Sequence, residues 1–196
     1  MMTGLGKRSV KDKAYLEFCG WDKLKAVTLD QTIPMLTREL FATIFLTGGR
    51  SSEVLTLRKE QFRKYEKEGY VLVQRMDVLK HGKADERSFP IRLDEPLTDI
   101  MMSAVNNISV GERLFPYKYR WLYKHISTIN KYEGKNFGEW FPHRLRAERA
   151  KELVEERNYG IIELMGFFRW TTAEMAFHYS GNSPKRLIQL MMEGKL

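Results

Sequence analysis

Residues 159–179 read YGIIELMGFFRWTTAEMAFHY, and this stretch places Trp170 nine residues before Tyr179. Its apolar spacing predicts one helix over Ile161–Phe168 and a second over Thr171–Tyr179. The tyrosine hydroxyl can act as a nucleophile, and the indole N–H can donate a hydrogen bond but cannot act as an acid near neutral pH. The stretch therefore combines a candidate nucleophile with a candidate hydrogen-bond donor.

Two motifs closer to the N-terminus contribute arginines. Arg50 lies in TGGRSSEVLTL with Glu53 three residues later, and His143 and Arg146 are spaced H-x-x-R in FPHRLR. A planar guanidinium matches two phosphate oxygens, and donors preorganised around developing charge usually contribute most to catalysis. The two arginines are therefore candidate phosphate ligands.

A β-hairpin is predicted over YVLVQRMDVLKHGKADERSFPIRL. Alternation and turn residues indicate strands at Tyr70–Asp77 and Ser88–Leu93, joined by a turn at residues 81–82. Lys80 and Lys83 are both close to this turn, so the hairpin offers two candidate cationic acids.

The rest of the patterned chain is predicted to be helical, so the fold class is mainly α with a small antiparallel β-sheet. Thr32 is expected to cap a helix that stops at Gly48 and Gly49. Further helices are predicted at Ser51–Leu57, Leu97–Val105, Tyr119–Tyr132, His143–Arg157 and Pro184–Glu193. Residues 1–30 are weakly patterned and are interpreted as an N-terminal linker or a short helix near Ala14–Phe18. Residues 31–196 are interpreted as one domain that includes the C-terminal segment 180–196.

The composition favours a polyanionic partner. The 33 Lys and Arg residues outnumber the 25 Asp and Glu residues, which gives a net charge of +8. Basic side chains bind phosphates and release counterions. Cys19 is the sole cysteine, which excludes an intramolecular disulfide and a cysteine-based zinc site. No apolar run in the sequence is long enough to span a bilayer, and the N-terminus lacks the apolar region of a signal peptide. A reducing, cytoplasmic compartment is expected.

Taken together and in this order, the motifs resemble those of the tyrosine recombinases, the integrase family. TGGRSSEVLTL resembles the family's TGxRxSE box, the hairpin its K-x-x-K…PI segment, and PHRLR its H-x-L-R motif. LFPYKYRWLYKHI resembles the stretch before that motif, and residues 159–179 resemble the final L-G-(H/W)…Y box. The resemblance extends from about Thr32 to Leu190. It implies the DNA breaking-rejoining fold of a recombinase catalytic domain, acting without a metal or other cofactor.

The resemblance also implies a role for each residue that would bind or attack the phosphate. Tyr179 would be the nucleophile that forms a 3′-phosphotyrosine, and Arg50 and Arg146 would clamp the scissile phosphate. Trp170, where most members carry histidine, would donate to a phosphate oxygen.

Proton transfer is assigned in the same way. Lys80 would protonate the leaving 5′ oxygen, with Lys83 as the local competitor. His143 would move the proton of the tyrosine, and Glu53 would steady that histidine. The chain departs from the family at Ala147, where a second histidine is common. It also shows no stretch resembling the family's N-terminal core-binding domain, so weak DNA binding in isolation is expected.

The resemblance and the basic composition together predict the partners. Double-stranded DNA carrying a recombination site is the expected substrate, bound by a homo-oligomer, a tetramer on DNA, in a mobile element or virus within its host cell. The helix Tyr119–Tyr132 is the candidate groove-facing element. The candidate DNA-binding residues around it are Lys118, Arg120, Lys124 and Arg144.

Other interpretations stay open at this point. A type IB topoisomerase would use similar chemistry, and a DNA-binding protein that has lost catalysis would share the basic surface. Each residue also has a simpler structural explanation when taken alone. On that view Arg50 is ion-paired, His143 caps a helix, Trp170 and Tyr179 are packing residues, and the charged stretch Lys80–Arg87 is a solvated hairpin tip.

Overall fold

The computed structural model describes residues 21–80, 83–129, 140–180 and Met192. Within these residues the chain is mainly helical with one small antiparallel sheet, which confirms the predicted fold class. The helices are α1 (Trp21–Leu29), α2 (Met35–Thr47), α3 (Ser51–Val54), α4 (Thr98–Asn106), α5 (Tyr119–Thr128), α6 (Pro142–Glu155), α7 (Ile161–Phe168) and α8 (Ala173–Ser180). No helix in the described part of the chain is long and apolar enough to cross a membrane.

Helix α2 forms the centre of the core. It is buried around most of its circumference, as expected for a helix surrounded by protein, and Leu40, Phe41 and Ile44 are completely buried. It packs against α1, α4, α5 and α6. The motifs that follow α2 and begin α6 are therefore anchored in the most deeply buried part of the described core.

The ends of α2 are set by local chemistry. Pro34 is the N-cap, so the predicted capping by Thr32 is wrong. Thr32 instead donates its backbone N–H and its hydroxyl to the Asp30 carboxylate, at 2.9 and 2.6 Å. At the other end Gly48 adopts the left-handed conformation with φ +56°, which confirms the predicted stop.

Helix α3 is shorter than predicted. It ends at Val54 rather than at Leu57. The carbonyl of Leu57 accepts a hydrogen bond of 2.9 Å from the N–H of Leu114. This long-range contact holds the chain after α3 in a non-helical path.

The sheet contains strands β1 (Phe62–Tyr65), β2 (Tyr70–Lys80) and β3 (Lys83–Arg92), in the order β1-β2-β3 with antiparallel pairing. A 3-10 turn at Lys59–Gln61 leads into β1. The sequence did not reveal β1, because a four-residue strand rich in charge has no alternating apolar signal. Strands β2 and β3 are longer than predicted, since pairing continues through a bulge between Val73 and Met76 to the Lys80–Lys83 pair.

The weakly patterned N-terminal region contributes to the core. Helix α1 buries Leu24 and Val27 completely and packs on α2. The short helix predicted near Ala14–Phe18 and the terminal helix predicted at Pro184–Glu193 lie outside the described residues, apart from Met192. Helix α7 has the bounds predicted, and α8 begins at Ala173 and ends at Ser180.

Candidate functional site

Arg50 and Glu53 form a fixed pair at the start of α3. The Glu53 carboxylate accepts the backbone N–H of Arg50 at 2.8 Å and its Nη1 at 2.6 Å. The Glu53 side chain is fully buried, whereas the Arg50 side chain keeps 27% of its surface exposed. Glu53 therefore orients a guanidinium that still faces solvent.

Arg146 comes from α6 and lies beside this pair. Its Nη1 donates to the carbonyl of Gly48, and its Nη2 donates to the carbonyl of Phe168 at 3.3 Å. Nη1 also lies 3.8 Å from Oε2 of Glu53. The contacts of Arg146 thus join α6 to the ends of α2 and α7.

Trp170 and Tyr179 complete the cluster. Helix α7 ends with Arg169 in the left-handed conformation, φ 55°, and this turns the chain so that Trp170 stacks on Phe168 at 4.6 Å between ring centroids. Trp170 in turn stacks on Tyr179 at 5.8 Å, with an interplanar angle of 12°. The guanidinium carbon of Arg146 is 4.7 Å from the Phe168 ring centre and 6.0 Å from that of Trp170.

The cluster carries excess positive charge. Burial, followed by repulsion from Arg87 and Arg50, lowers the pKa of Arg146 to about 9, while Glu53 and Tyr179 oppose the shift. The guanidinium is therefore still charged at neutral pH, but its burial is costly. A bound anion beside Arg50 and Arg146 would offset that cost, which makes this an electrostatically favourable phosphate site.

His143 lies one turn before Arg146 on α6. Partial burial of its ring, followed by the charges of Arg146 and Arg50, lowers the pKa of the imidazole below its usual value of 6.5. The side chain still has exposed surface. The imidazole is therefore neutral at pH 7 and able to accept a proton.

The overall fold is shared with solved structures. The chain superposes on the XerH site-specific recombinase bound to a palindromic difH substrate in a post-cleavage complex, with a TM-score of 0.67, 16% identity, and coverage of 97% of this chain and 57% of that one. The XerA recombinase superposes with a TM-score of 0.66 at 13% identity, over 92% of this chain and 65% of that one. The catalytic domain of the bacteriophage HP1 integrase superposes with a TM-score of 0.57 at 18% identity, over 91% of this chain and 95% of that one.

The chain has the fold of a tyrosine recombinase catalytic domain. It spans less than two thirds of the XerA and XerH chains and nearly all of the HP1 catalytic domain. No family model matches the sequence. No curated protein matches it either. The likeness to recombinases therefore lies in the fold and in short motifs.

The two candidate lysines of the hairpin lie opposite each other at its end. Lys80 ends β2, Lys83 begins β3, and the two are paired across the end of the hairpin. Their side chains lie outside the described part of the structure. The choice between Lys80 and Lys83 as general acid accordingly stays a prediction.

The predicted DNA-binding residues separate into two groups. Lys118, Arg120 and Lys124 are exposed, on α5 or directly before it, and three tyrosine rings beside them are exposed as well. These rings are Tyr117, Tyr119 and Tyr123. Arg144 is only 7% exposed, with its Nε 3.8 Å from Glu148 and its guanidinium carbon 5.9 Å from the Trp140 ring centre. Arg144 therefore belongs to the interior rather than to the α5 surface.

Arg87 also belongs to this cluster, although no sequence motif pointed to it. The simple interpretation of Lys80–Arg87 as a solvated tip is wrong for Arg87, which is 4% exposed and bonded to the ends of α2 and α7. The available signal was strand alternation. Arg87 precedes Phe89 and Ile91 by two and four residues, so it shares their inward face once β3 is extended.

Proposed function

We propose that this chain is the catalytic domain of a site-specific DNA recombinase or integrase that cleaves and rejoins strands through a 3′-phosphotyrosine. The observation that carries the proposal is the stacking of Tyr179 on Trp170 beside the buried Arg146. A nucleophile capable of covalent catalysis thereby lies next to a cationic cluster suited to phosphate.

Each group has a defined task in the proposed reaction. Arg50 and Arg146 bind the non-bridging oxygens of the scissile phosphate, and the indole N–H of Trp170 donates to the same group. The Tyr179 oxygen attacks phosphorus, and neutral His143 takes its proton. Lys80 or Lys83 protonates the departing 5′ oxygen. The phosphotyrosine conserves the bond energy, so a DNA hydroxyl can reverse the reaction and reseal the strand.

Glu53 acts on two of these groups. Its carboxylate bonds directly to Arg50, and its charge opposes the lowering of the His143 pKa. Its proposed task is therefore to orient Arg50 and to steady the histidine electrostatically.

The exposed face of α5 supports double-stranded DNA as the partner. Lys118, Arg120 and Lys124 offer phosphate contacts. The rings of Tyr119 and Tyr123, which alternate with these basic residues along the chain, are 56% and 44% exposed. Assembly as a tetramer on the recombination site, and a role in integrating a mobile or viral element, form part of the proposal.

The decisive experiment is covalent trapping. The protein is incubated with a nicked suicide-substrate pool of random duplexes, denatured, and separated by gel, and the DNA that remains attached is sequenced. We expect a covalent adduct with wild type and none with Tyr179→Phe, which removes only the hydroxyl. Tyr159→Phe is the matched control, because Tyr159 is also partly buried but lies outside the cluster, and it should retain the adduct.

The same proteins also distinguish the proposed recombinase from the alternative functions. An adduct that survives Tyr179→Phe contradicts the assignment of the nucleophile. DNA binding without any adduct points to a protein that has lost catalysis. Relaxation of supercoiled plasmid without exchange between two sites points to topoisomerase-like activity.

A further inference from the structure

We propose that Arg87 is a positioning residue that holds the Arg146 guanidinium and the Trp170 turn in register for phosphate binding. The inference rests on the proposed function for its catalytic consequence, although its structural part can be tested separately. The motif assignments gave Arg87 no role in the site. The Arg87 guanidinium packs on the Phe89 and Phe167 rings, whereas that of Arg146 lies towards Trp170, so Arg87 acts through its neighbours rather than on the substrate.

Arg87 and Arg146 make parallel bridges between the same two helix ends. Nη2 of Arg87 donates to Thr47 O at 2.7 Å, and its Nη1 donates to Phe167 O. Arg146 repeats the arrangement one residue later, on the carbonyls of Gly48 and Phe168. The two guanidiniums therefore occupy successive carbonyls at the C-terminal ends of α2 and α7.

These carbonyls need hydrogen-bond donors, and cationic donors suit them best. The last carbonyls of a helix lack intrahelical partners and carry the negative end of the helix dipole. Here two such ends converge in a buried region, where an unpaired carbonyl is costly. Arg87 donates to the earlier of the two carbonyls at each end, Thr47 O and Phe167 O. Its guanidinium carbon lies 4.6 Å from the Phe89 ring centre, and this stacking orients the guanidinium.

The location of Arg87 connects three parts of the site. It is carried by β3, the strand that begins at Lys83, and it bonds to the helix that precedes Arg50 and to the helix that precedes Trp170. Without Arg87, the carbonyls of Thr47 and Phe167 would draw Arg146 one residue away from its present pair. Arg146 and Trp170 would then no longer present their donors to one phosphate.

Repulsion from Arg87 accompanies this arrangement, since it is one of the causes that lower the pKa of Arg146. Burial is the main cause that lowers the pKa of Arg87 to about 10; the charge of Glu53 opposes this shift, and that of Arg50 adds to it. The charge is retained at neutral pH, so Arg87 donates to both carbonyls as a cation.

The test compares Arg87→Met, which keeps length without charge, with Arg87→Lys, which keeps charge without the fork. Arg92→Met is the exposed control on the same strand. Val105→Ala is a control for lost stability, since it removes buried side-chain volume from α4. Adduct formation is measured with the trapping substrate, DNA affinity is measured by titration, and each assay is run below the melting temperature of every variant.

A second readout reports on the turn itself. Fluorine NMR of protein labelled with 5-fluorotryptophan gives separate signals for the 4 tryptophans, and Trp170→Phe assigns the signal of Trp170. We expect both Arg87 variants to shift that signal and to leave the other three unchanged. For Arg87→Met we expect adduct formation to fall about 10²-fold with DNA affinity nearly retained, as when a preorganised donor is lost. The lysine variant should recover part of the rate.

Two results overturn the inference. One is adduct formation by Arg87→Met at the rate of the Val105→Ala control. The other is a similar shift of all tryptophan signals, which would indicate a general loss of structure. If wild type forms no adduct, the proposed function fails, and the fluorine signal alone then decides whether Arg87 holds the turn. An unshifted Trp170 signal in both variants would show that Arg87 does not hold the turn, and would overturn the structural part of the inference as well.

Discussion

The Arg146 guanidinium donates a hydrogen bond to the carbonyl of Gly48, a residue 98 positions earlier in the chain. This contact joins the two arginine motifs, and it depends on the left-handed conformation of Gly48 at the end of α2. The absence of a side chain at Gly48 also makes room for the Phe168 ring, on which Trp170 stacks.

Gly48→Ala is therefore expected to destabilise the domain and to disturb the site. The left-handed backbone alone costs an alanine on the order of 1–3 kcal/mol, and the new methyl group would collide with Phe168. Urea unfolding measures the loss. Gly69→Ala is the matched control, because Gly69 has φ +75° with nothing within 4 Å of an added methyl group. Equal losses for the two variants would show that the Phe168 contact contributes nothing.

Replacing either phosphate-binding arginine by lysine should impair cleavage more than binding. Lysine keeps the charge of Arg50 or Arg146 but loses the planar fork. We expect adduct formation to fall by about 10²-fold or more, as for other preorganised donors. Arg120→Lys, on the exposed face of α5, should cleave at the normal rate. Cleavage at the wild-type rate by both Arg50→Lys and Arg146→Lys would refute the phosphate clamp.

Lys80, rather than Lys83, is predicted to be the general acid. A substrate with sulfur at the 5′-bridging position needs no proton when that group leaves. Lys80→Ala should therefore be inactive on ordinary DNA and active on the sulfur substrate, in a single-turnover cleavage assay. Lys83→Ala should cleave both substrates alike. Rescue confined to Lys83→Ala would reverse the assignment.

The titration of His143 is expected to set how the cleavage rate depends on pH. Its lowered pKa keeps the imidazole neutral at pH 6.5 and above, so the single-turnover rate should hold near neutrality and fall only at more acidic pH. The unfolded chain binds this proton more tightly, so folding stability also declines as pH falls below 6.5. His143→Gln should cleave slowly and lack this acidic decline. An unchanged decline in that variant would assign it to another group.

The excess positive charge predicts stabilisation by anions without DNA. Inorganic phosphate should raise the melting temperature above that in chloride of equal ionic strength, because it binds the folded cationic cluster. Arg50→Met should lose most of the difference, since it removes the most exposed guanidinium of the cluster. Arg92→Met should retain it. An equal effect of phosphate on all three proteins would indicate general exclusion of the salt rather than binding.

Much of the local architecture could be predicted from the sequence alone. Periodicity located α7 and the paired strands, and the Gly48–Gly49 pair marked the end of α2, because these signals depend on neighbouring residues. The motif order singled out Arg50, Arg146, Trp170 and Tyr179, and the fold brings these four into one cluster.

Tertiary structure decided which charged residues enter the interior. Arg87 and Arg144 are charged side chains like Lys118 and Lys124, yet the two arginines are buried and the two lysines remain exposed. Burial of a guanidinium depends on carbonyls, carboxylates and rings supplied from distant positions, as Phe167 and Thr47 supply them to Arg87. Local pattern carries no record of those partners, so only the folded chain determines where such a charge is stable.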